Sequence, residues 1–575
     1  MTIPPKKKGR IQNFAAVFVI FLVFFFVIGG AFALYFFKGK AINTSDIRSA
    51  EKILGLTFSP KERRMLLGDT RRNLLSYATI REMDIPNSVP PALQFNPVVG
   101  PKEQPVEEAA VPFSPDLNMT LPENRESIAF FSVRQLASLL RTGQITSMEL
   151  TELYLKRLKK YGPALECVVT LTEDLARKQA RRADEEMAAG RYRGPLHGIP
   201  WGVKDLLSTR GYPTTWGAMP YKDQILDEDA TVVQRLEEAG AVLVAKLSLG
   251  ALAMGDYWYG GRTRSPWNLN RGSSGSSAGP GAATAAGLVG FSIGTETHGS
   301  IISPSTRNAV TGLRPTYGRV SRHGAMALSW SMDKIGPMCR TAEGCAYVFD
   351  AIYGPDGKDL TLLDMPFVWN PERELKDLRI GYYKKSFDGN FRDKEKAEAV
   401  LDYFREIGVD LVPVELPDMP INSISFILDA EAAAAFDELT RSGRDDLLVR
   451  QTAYSWPNTF RIARFIPAVE YIQANRARTL YMIKLTEALK NIDVYISTNR
   501  AGNLLATNLT GHPAVCVPTS MPTEEGDTTA ITFIGHLFRE ADALLAAKIW
   551  QDGTGFFLAS PDLEKTLSKK IKGKE

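Results

Sequence analysis

Three short stretches between residues 198 and 304 carry the side chains best able to do chemistry. The first, GIPWGVKD (198–205), brings an apolar, strand-like run to a single lysine, Lys204. Desolvation disfavours an ammonium ion, so an amine among apolar walls sheds its proton and becomes a base. The second, NRGSSGSSAGP (270–280), is a glycine/serine loop, and residues 282–288 after it read as a helix of small side chains. The third, GTETHGSIISP (294–304), is another tight loop and carries Ser300. A serine hydroxyl is a poor nucleophile until a base takes its proton, so a lysine and loop serines brought together suit nucleophilic attack. Alone, each stretch is weak evidence, since a Gly/Ser run is usually a flexible link. GSSAG (275–279) also fits a nucleophile elbow, but that motif needs a strand directly before it, and PWNLNRG (266–272) is turn-rich.

Other chemistries find little support. His197, His298, His323, His512 and His536 are scattered without ligand spacing, so no metal site is expected, and nothing implies a cofactor. Cys167, Cys339, Cys345 and Cys516 form no CxxC pair, and Cys339 and Cys345 read as half-buried thiols rather than a disulfide. A net charge of +4 over 575 residues, with no basic stripe interleaved with aromatics, gives no reason to expect a nucleic-acid partner.

The elements that must hold these loops follow from pattern. Apolar residues make up 44% and charged residues 23%, the balance of a chain that mostly folds. Short apolar runs at 241–245 and 378–383 read as buried strands, and 231–239 and 394–407 as helices, an alternation that predicts an α/β fold on a buried sheet. Ser132 and Thr146 stand as caps before helical patterns, Thr146 with Glu149 as a capping box. A folded domain is expected over 128–560, and the lysine-rich 561–575 is read as a solvated tail. Before it, 38–127 reads as short helices (47–54 and 62–77) followed by an extended, proline-rich surface spacer.

Residues 14–37 are apolar without a break, and as a helix they would extend roughly 36 Å, enough to cross a bilayer. The basic tail 1–13 holds Lys6, Lys7, Lys8 and Arg10, against Lys38 and Lys40 after the run. That bias predicts a cytoplasmic amino terminus, a single transmembrane signal anchor and an extracytoplasmic catalytic domain. A cleaved signal peptide, ending near Ala31-Phe32-Ala33, is the competing expectation and also places the domain outside.

Taken in order, the three stretches closely resemble the amidase-signature family, over about residues 128–558 and most strongly over 198–341. The shared marks are the lysine stretch, the Gly/Ser loop, a Gly-Thr-[DE]-x-x-Gly-Ser-Ile loop, and GLRPTYGRVS at 312–321. Ser276 and Ser300 lie 24 positions apart, the family's interval, which selects Ser276 over Ser273, Ser274 and Ser277. The resemblance implies an α/β amidase-signature fold, a central mixed sheet covered by helices on both faces. It also implies an amidase with a Ser–cis-Ser–Lys triad: Ser300 as nucleophile, Ser276 as relay after a cis Gly275–Ser276 bond, and Lys204 as base. Backbone N–H groups of Thr297, His298, Gly299 and Ser300 would form the oxyanion hole. Asp333 matches the family and reads as structural support.

Several residues depart from the family pattern. His298 stands where many relatives have glycine, Ala278 replaces a glycine, and Pro280 is unusual. After Ser300 come Ile301, Ile302 and Ser303 instead of the arginine many relatives carry, which favours a neutral or apolar acyl group. The leading expectation is a membrane-anchored, stand-alone amidase acting on a small-molecule or peptide amide, with a lipid amide open within that class. Two alternatives stand beside it: the glutaminase subunit of a tRNA-dependent amidotransferase, which the apolar segment argues against, and a non-catalytic binding protein. The acyl and amine pockets are expected after about residue 337 and from entry loops, with 454–471 as a candidate contributor.

Overall fold

Eleven strands, most of them fully buried and rich in branched apolar residues, form the large sheet on which the chemistry-bearing loops hang. The computed structural model describes residues 42–82, 86–89, 93–98, 113, 118–498 and 500–572. Two units divide at residues 86 and 87. Within the first, the helix Thr44–Leu54 is capped by Asn43 and followed by the helix Pro60–Glu82. Arg63 closes on Glu51 through two bonds of 2.6 and 2.8 Å. The basic tail and the transmembrane helix expected over 14–37 lie outside the described residues. Among the described residues no helix is long and apolar enough to cross a membrane.

The second unit contains the sheet. Its strands are β1 (Val168–Leu171), β2 (Pro200–Lys204), β3 (Val242–Leu247), β4 (Phe291–Glu296), β5 (Thr311–Arg314) and β6 (Lys334–Cys339). They continue as β7 (Ile380–Tyr383), β8 (Val412–Val414), β9 (Val494–Ser497), β10 (Ala514–Pro518) and β11 (Ala530–Gly535). Their spatial order is β1-β3-β2-β4-β6-β5-β10-β11-β9-β7-β8. β3, β2 and β4 run parallel, as do β9, β7 and β8, while the central strands pair antiparallel. This is the mixed α/β sheet the resemblance implies.

Side chains alternate along a strand, and here the alternation sorts them into separate cores. Val242 and Val244 pack with Leu155, Leu158, Ala176 and Ala180 of the helices Ser147–Leu165 and Glu173–Ala188. Leu243, between them, joins Leu136, Val232 and Leu236 on the other face. At the far end, Ile496 and Val515 belong to that same large core, whereas Tyr495 and Cys516 pack with Tyr481, Leu485 and Ala506. Helices therefore cover both faces, and most of the strands are buried on both sides.

Local signals place the elements. Ser132 and Gln135 form a reciprocal capping box before Val133–Arg141, as do Thr146 and Glu149 before Ser147–Leu165. The small-residue helix runs over Ala278–Ala285, four residues earlier than its sequence pattern suggests. Pro280 causes no break there, because first-turn N–H groups have no intrahelical partner to lose. The proline-rich segment is not a bare surface spacer. Pro97 is buried, Phe95 lies edge-on to Tyr317 with the Arg478 guanidinium over its other side, and the Asn87 amide donates to and accepts from the Ala327 backbone. Nor is the carboxy-terminal end a solvated tail: Leu563–Lys572 is a helix, with Leu563 and Leu567 against the second core. All four cysteines are free and fully buried rather than half-buried, as small apolar packing groups.

Because Leu243 is enclosed on a fully buried strand, Leu243→Ala should cost about 3 kcal/mol, most of it as a cavity. Denaturant unfolding measures this, and a loss below about 1 kcal/mol would contradict the packing described.

Candidate active site

β2 ends on Lys204, and the strand order brings that end beside β4 and the start of the helix Ala278–Ala285. The lysine is wholly buried. Its Nζ donates to Ser276 Oγ at 2.8 Å, Thr295 Oγ1 at 2.8 Å, Ser277 Oγ at 3.1 Å and the Thr295 carbonyl at 3.4 Å. Among the described residues no carboxylate comes within ion-pairing distance of it. Burial therefore dominates and pulls the Lys204 amine from its ordinary value down to about 7, against a weaker opposing pull from Asp333 and Glu296. Near neutral pH a large share of this amine is uncharged and basic.

The Gly275–Ser276 peptide is cis, the arrangement the family resemblance implies. A Cβ on Gly275 would sit 1.8 Å from the Gly255 carbonyl oxygen, so only glycine fits before the serine. Ser277 has a different position from its neighbour. It is buried, and its hydroxyl donates to the Thr295 carbonyl and accepts from the Thr295 N–H, both at 3.1 Å. That excludes the nucleophile-elbow reading, in which the central serine must be presented to substrate. The strand before this loop, Asn268–Gly272, belongs to a two-stranded ribbon outside the main sheet.

The third loop leaves β4 at Glu296, turns through Gly299 at φ +87°, and enters the helix Ile302–Asn308. A Cβ at Gly299 would press on Leu504 at 3.0 Å, so handedness and space both require glycine. Ser300 is 8% exposed. The N–H groups of Thr297, His298, Gly299 and Ser300 make no hydrogen bond among the described residues, whereas the next two, Ile301 and Ile302, donate to Glu296 Oε2 at 2.8 and 2.9 Å. Four donors in a row are thus left for a ligand oxygen. His298 is exposed, which explains how a side chain is tolerated there.

Of the two hydroxyl contacts the sequence anticipates, the structure makes one. Lys204 reaches Ser276, while the Ser300 hydroxyl has no hydrogen-bond partner among the described residues. The serine loops are nevertheless joined, because the Ser277 N–H donates to the Ser300 carbonyl at 3.1 Å. Asp333 supports this loop: its carboxylate accepts from Thr297 Oγ1 at 2.6 Å and from the N–H groups of Leu328 and Ser329.

Sequence reasoning missed the clamp beneath the loop. Glu296 is wholly buried and accepts from Arg314 and Asn508, each at 2.8 Å, besides the two isoleucine N–H groups. Burial pushes this carboxyl up, but the Arg314 charge and those bonds outweigh it and hold it at about 2. Its acidic residue is visible in the GTET run and its partner in GLRP, yet nothing in the spacing pairs them. A cavity next to the third loop is lined by none of Lys204, Ser276 and Ser300. It encloses about 90 Å³ and is lined by Thr295 and Thr297 together with Met326, Trp330, Lys334 and Leu360. Much of its wall lies before residue 337, and no residue of 454–471 contributes, since Trp456 and Phe460 of that stretch pack into the core. Among the described residues no cluster of acidic, His or Cys side chains suits a metal ion.

A mixed sheet carrying a buried lysine, a cis-linked serine and a glycine-turned serine loop defines a serine amidohydrolase architecture. The model of the Amidase family matches residues 149–501, and the chain belongs to that family. Curated relatives include a glutamyl-tRNA(Gln) amidotransferase subunit of Halorhodospira halophila, 33% identical over 75% of this chain and 99% of its own length. The corresponding protein of a Marinomonas species is 31% identical, over 76% of this chain and 99% of that one. Among solved structures, the native peptide amidase of Stenotrophomonas maltophilia superposes with a TM-score of 0.66 at 27% identity, covering 76% of this chain and 100% of that one.

Arg314→Met would leave Glu296 buried without its cation. The expected cost is about 3–5 kcal/mol of unfolding free energy, read from denaturant titration; a change within about 1 kcal/mol would show that the clamp does not hold the loop.

Proposed function

We propose that this amidase-family chain hydrolyses a carboxamide through an acyl-enzyme on Ser300. The observation that carries the reading is the Lys204 amine, buried, with no carboxylate in ion-pairing range among the described residues and 2.8 Å from the Ser276 hydroxyl. Substrate binding closes the Ser300 hydroxyl onto Ser276, a contact that commonly tightens only once substrate is in place. Lys204 then takes the Ser276 proton as Ser276 takes that of Ser300. Ser300 Oγ attacks the carbonyl carbon, and the N–H groups of residues 297–300 receive the oxyanion, a service worth a few kcal/mol of barrier. The C–N bond breaks as Ser276 returns a proton to the leaving nitrogen. Water then attacks the ester, released from its own proton by the same relay, and frees the acid.

Two substrate readings remain distinct. The names of the curated relatives support glutamine as the amide, with this chain as the glutaminase component of a tRNA-dependent amidotransferase and its ammonia passed to a partner protein. The solved peptide amidase, and the aliphatic residues Ile301 and Ile302 after the nucleophile, support a stand-alone amidase. Of the two, the relatives favour the amidotransferase reading more directly. Anchoring through residues 14–37, with the catalytic domain outside the cytoplasm, rests on that apolar run alone and speaks for the other.

Ammonia release from glutamine and from a peptide amide separates them. With whichever substrate is turned over, kcat/KM should rise with pH to a midpoint near 7, because only the neutral amine accepts a proton. Activity should fall by about 10³ or more in both Ser300→Ala and Lys204→Ala. Full activity in either variant would remove the mechanism.

A further inference from the structure

A second buried lysine stands on the strand beside β4 and has no part in the relay. Lys334 begins β6, opposite Glu296 of β4, and is 3% exposed. It lines the cavity that Thr295 and Thr297 share. Its Nζ makes one hydrogen bond, to the Met332 carbonyl, and no ion pair among the described residues. The neighbouring carboxylates are already engaged. Glu296 serves Arg314, Asn508 and two backbone N–H groups, and Asp333 serves Thr297, Leu328 and Ser329. Two other cations line that cavity: Arg322, committed to Asp359, Thr361 and the Trp330 carbonyl, and the exposed Lys358.

An ammonium has three N–H donors and a neutral amine two. Burial drives the Lys334 amine well below its ordinary value, Arg314 adds to that, and Glu296, Asp333 and Arg478 act on it more weakly. In either protonation state at least one N–H is left without a protein acceptor. A buried donor without a partner is costly, so the site gains when something in the cavity accepts from it. Apolar side chains, Leu206, Met326 and Leu360 among them, share the other walls with polar ones such as Asn87, Ser88 and Gln94.

We infer that Lys334 is a specificity-determining residue, donating to a second oxygen acceptor, a carbonyl or a carboxylate, carried by the amide substrate beyond the scissile group. The inference rests on the amidase reading and narrows its substrate class to amides with an apolar body and one further oxygen.

Steady-state kinetics on hexanamide, 5-oxohexanamide and the monoamide of glutaric acid test it, using wild type, Lys334→Met and Lys334→Gln. Wild type should show a KM about tenfold or more lower for one or both oxygen-bearing amides than for hexanamide. Lys334→Met should erase that preference through KM, and Lys334→Gln, which keeps an N–H, should restore part of it. A preference for the oxo-amide alone assigns a carbonyl, and one for the glutaric monoamide alone a carboxylate. Equal KM values for all three amides in wild type, or a preference that survives Lys334→Met, would overturn the inference and leave the amidase reading standing. Turnover of no amide at all by wild type would overturn the amidase reading and this inference with it.

Discussion

The site depends on keeping one amine dry without giving it a counter-ion. A lysine buried beside a carboxylate stays protonated and is useless as a base, whereas one with only neutral partners sheds its proton to avoid the cost of desolvation. Lys204 is built the second way. Its acceptors are two serine hydroxyls and the hydroxyl and carbonyl of Thr295, all neutral, and the nearby acids reach it only as a weak field. A contrast stands within the same sheet. Lys246, on the neighbouring strand, is just as buried but lies 3.1 Å from Asp205, and that pair serves the fold rather than the chemistry.

Rigidity around the amine follows from what the loops have to hold. The cis-linked Ser276 is pinned by the close approach of Gly275 to Gly255, and the nucleophile loop by the Glu296 clamp. Glu296 also decides which backbone donors are available. By taking the N–H groups of Ile301 and Ile302 it starts the helix, while those of residues 297–300, the proposed oxyanion donors, make no hydrogen bond among the described residues. Preorganised donors of this kind do their work without reorganising during the reaction. One buried carboxylate thus links the helix start, the turn and the candidate oxyanion site.

How much of this could be read from sequence varied with the range of the interaction. Capping boxes at Ser132 and Thr146 and the strand runs near 242 and 380 were legible, because each is fixed by residues a few positions apart. Motif and interval singled out Lys204, Ser276 and Ser300, of which the structure joins the first two at 2.8 Å. The partnership of Glu296 with Arg314 and Asn508 was not, since it spans residues from three separate segments and is settled by strand order. Ser277 illustrates a subtler limit. It shares its neighbour's type and loop, and only the folded chain shows Ser277 turned inward to Thr295. The cavity wall was misplaced for the same reason, its residues arriving from 322–335 and from the segment after residue 86 through tertiary contact. The carboxy-terminal helix was hidden by its lysines, whose charge masks the two leucines that dock it.

The most direct measurement is the protonation of Lys204 itself, followed by NMR of lysine carrying ¹³C at Cε and assigned by its loss in Lys204→Met. A dry amine without a counter-ion should titrate near pH 7, well apart from the surface lysines. A midpoint at the ordinary lysine value of about 10.4 would mean that the amine stays charged at neutral pH, and the relay built on it would have no base.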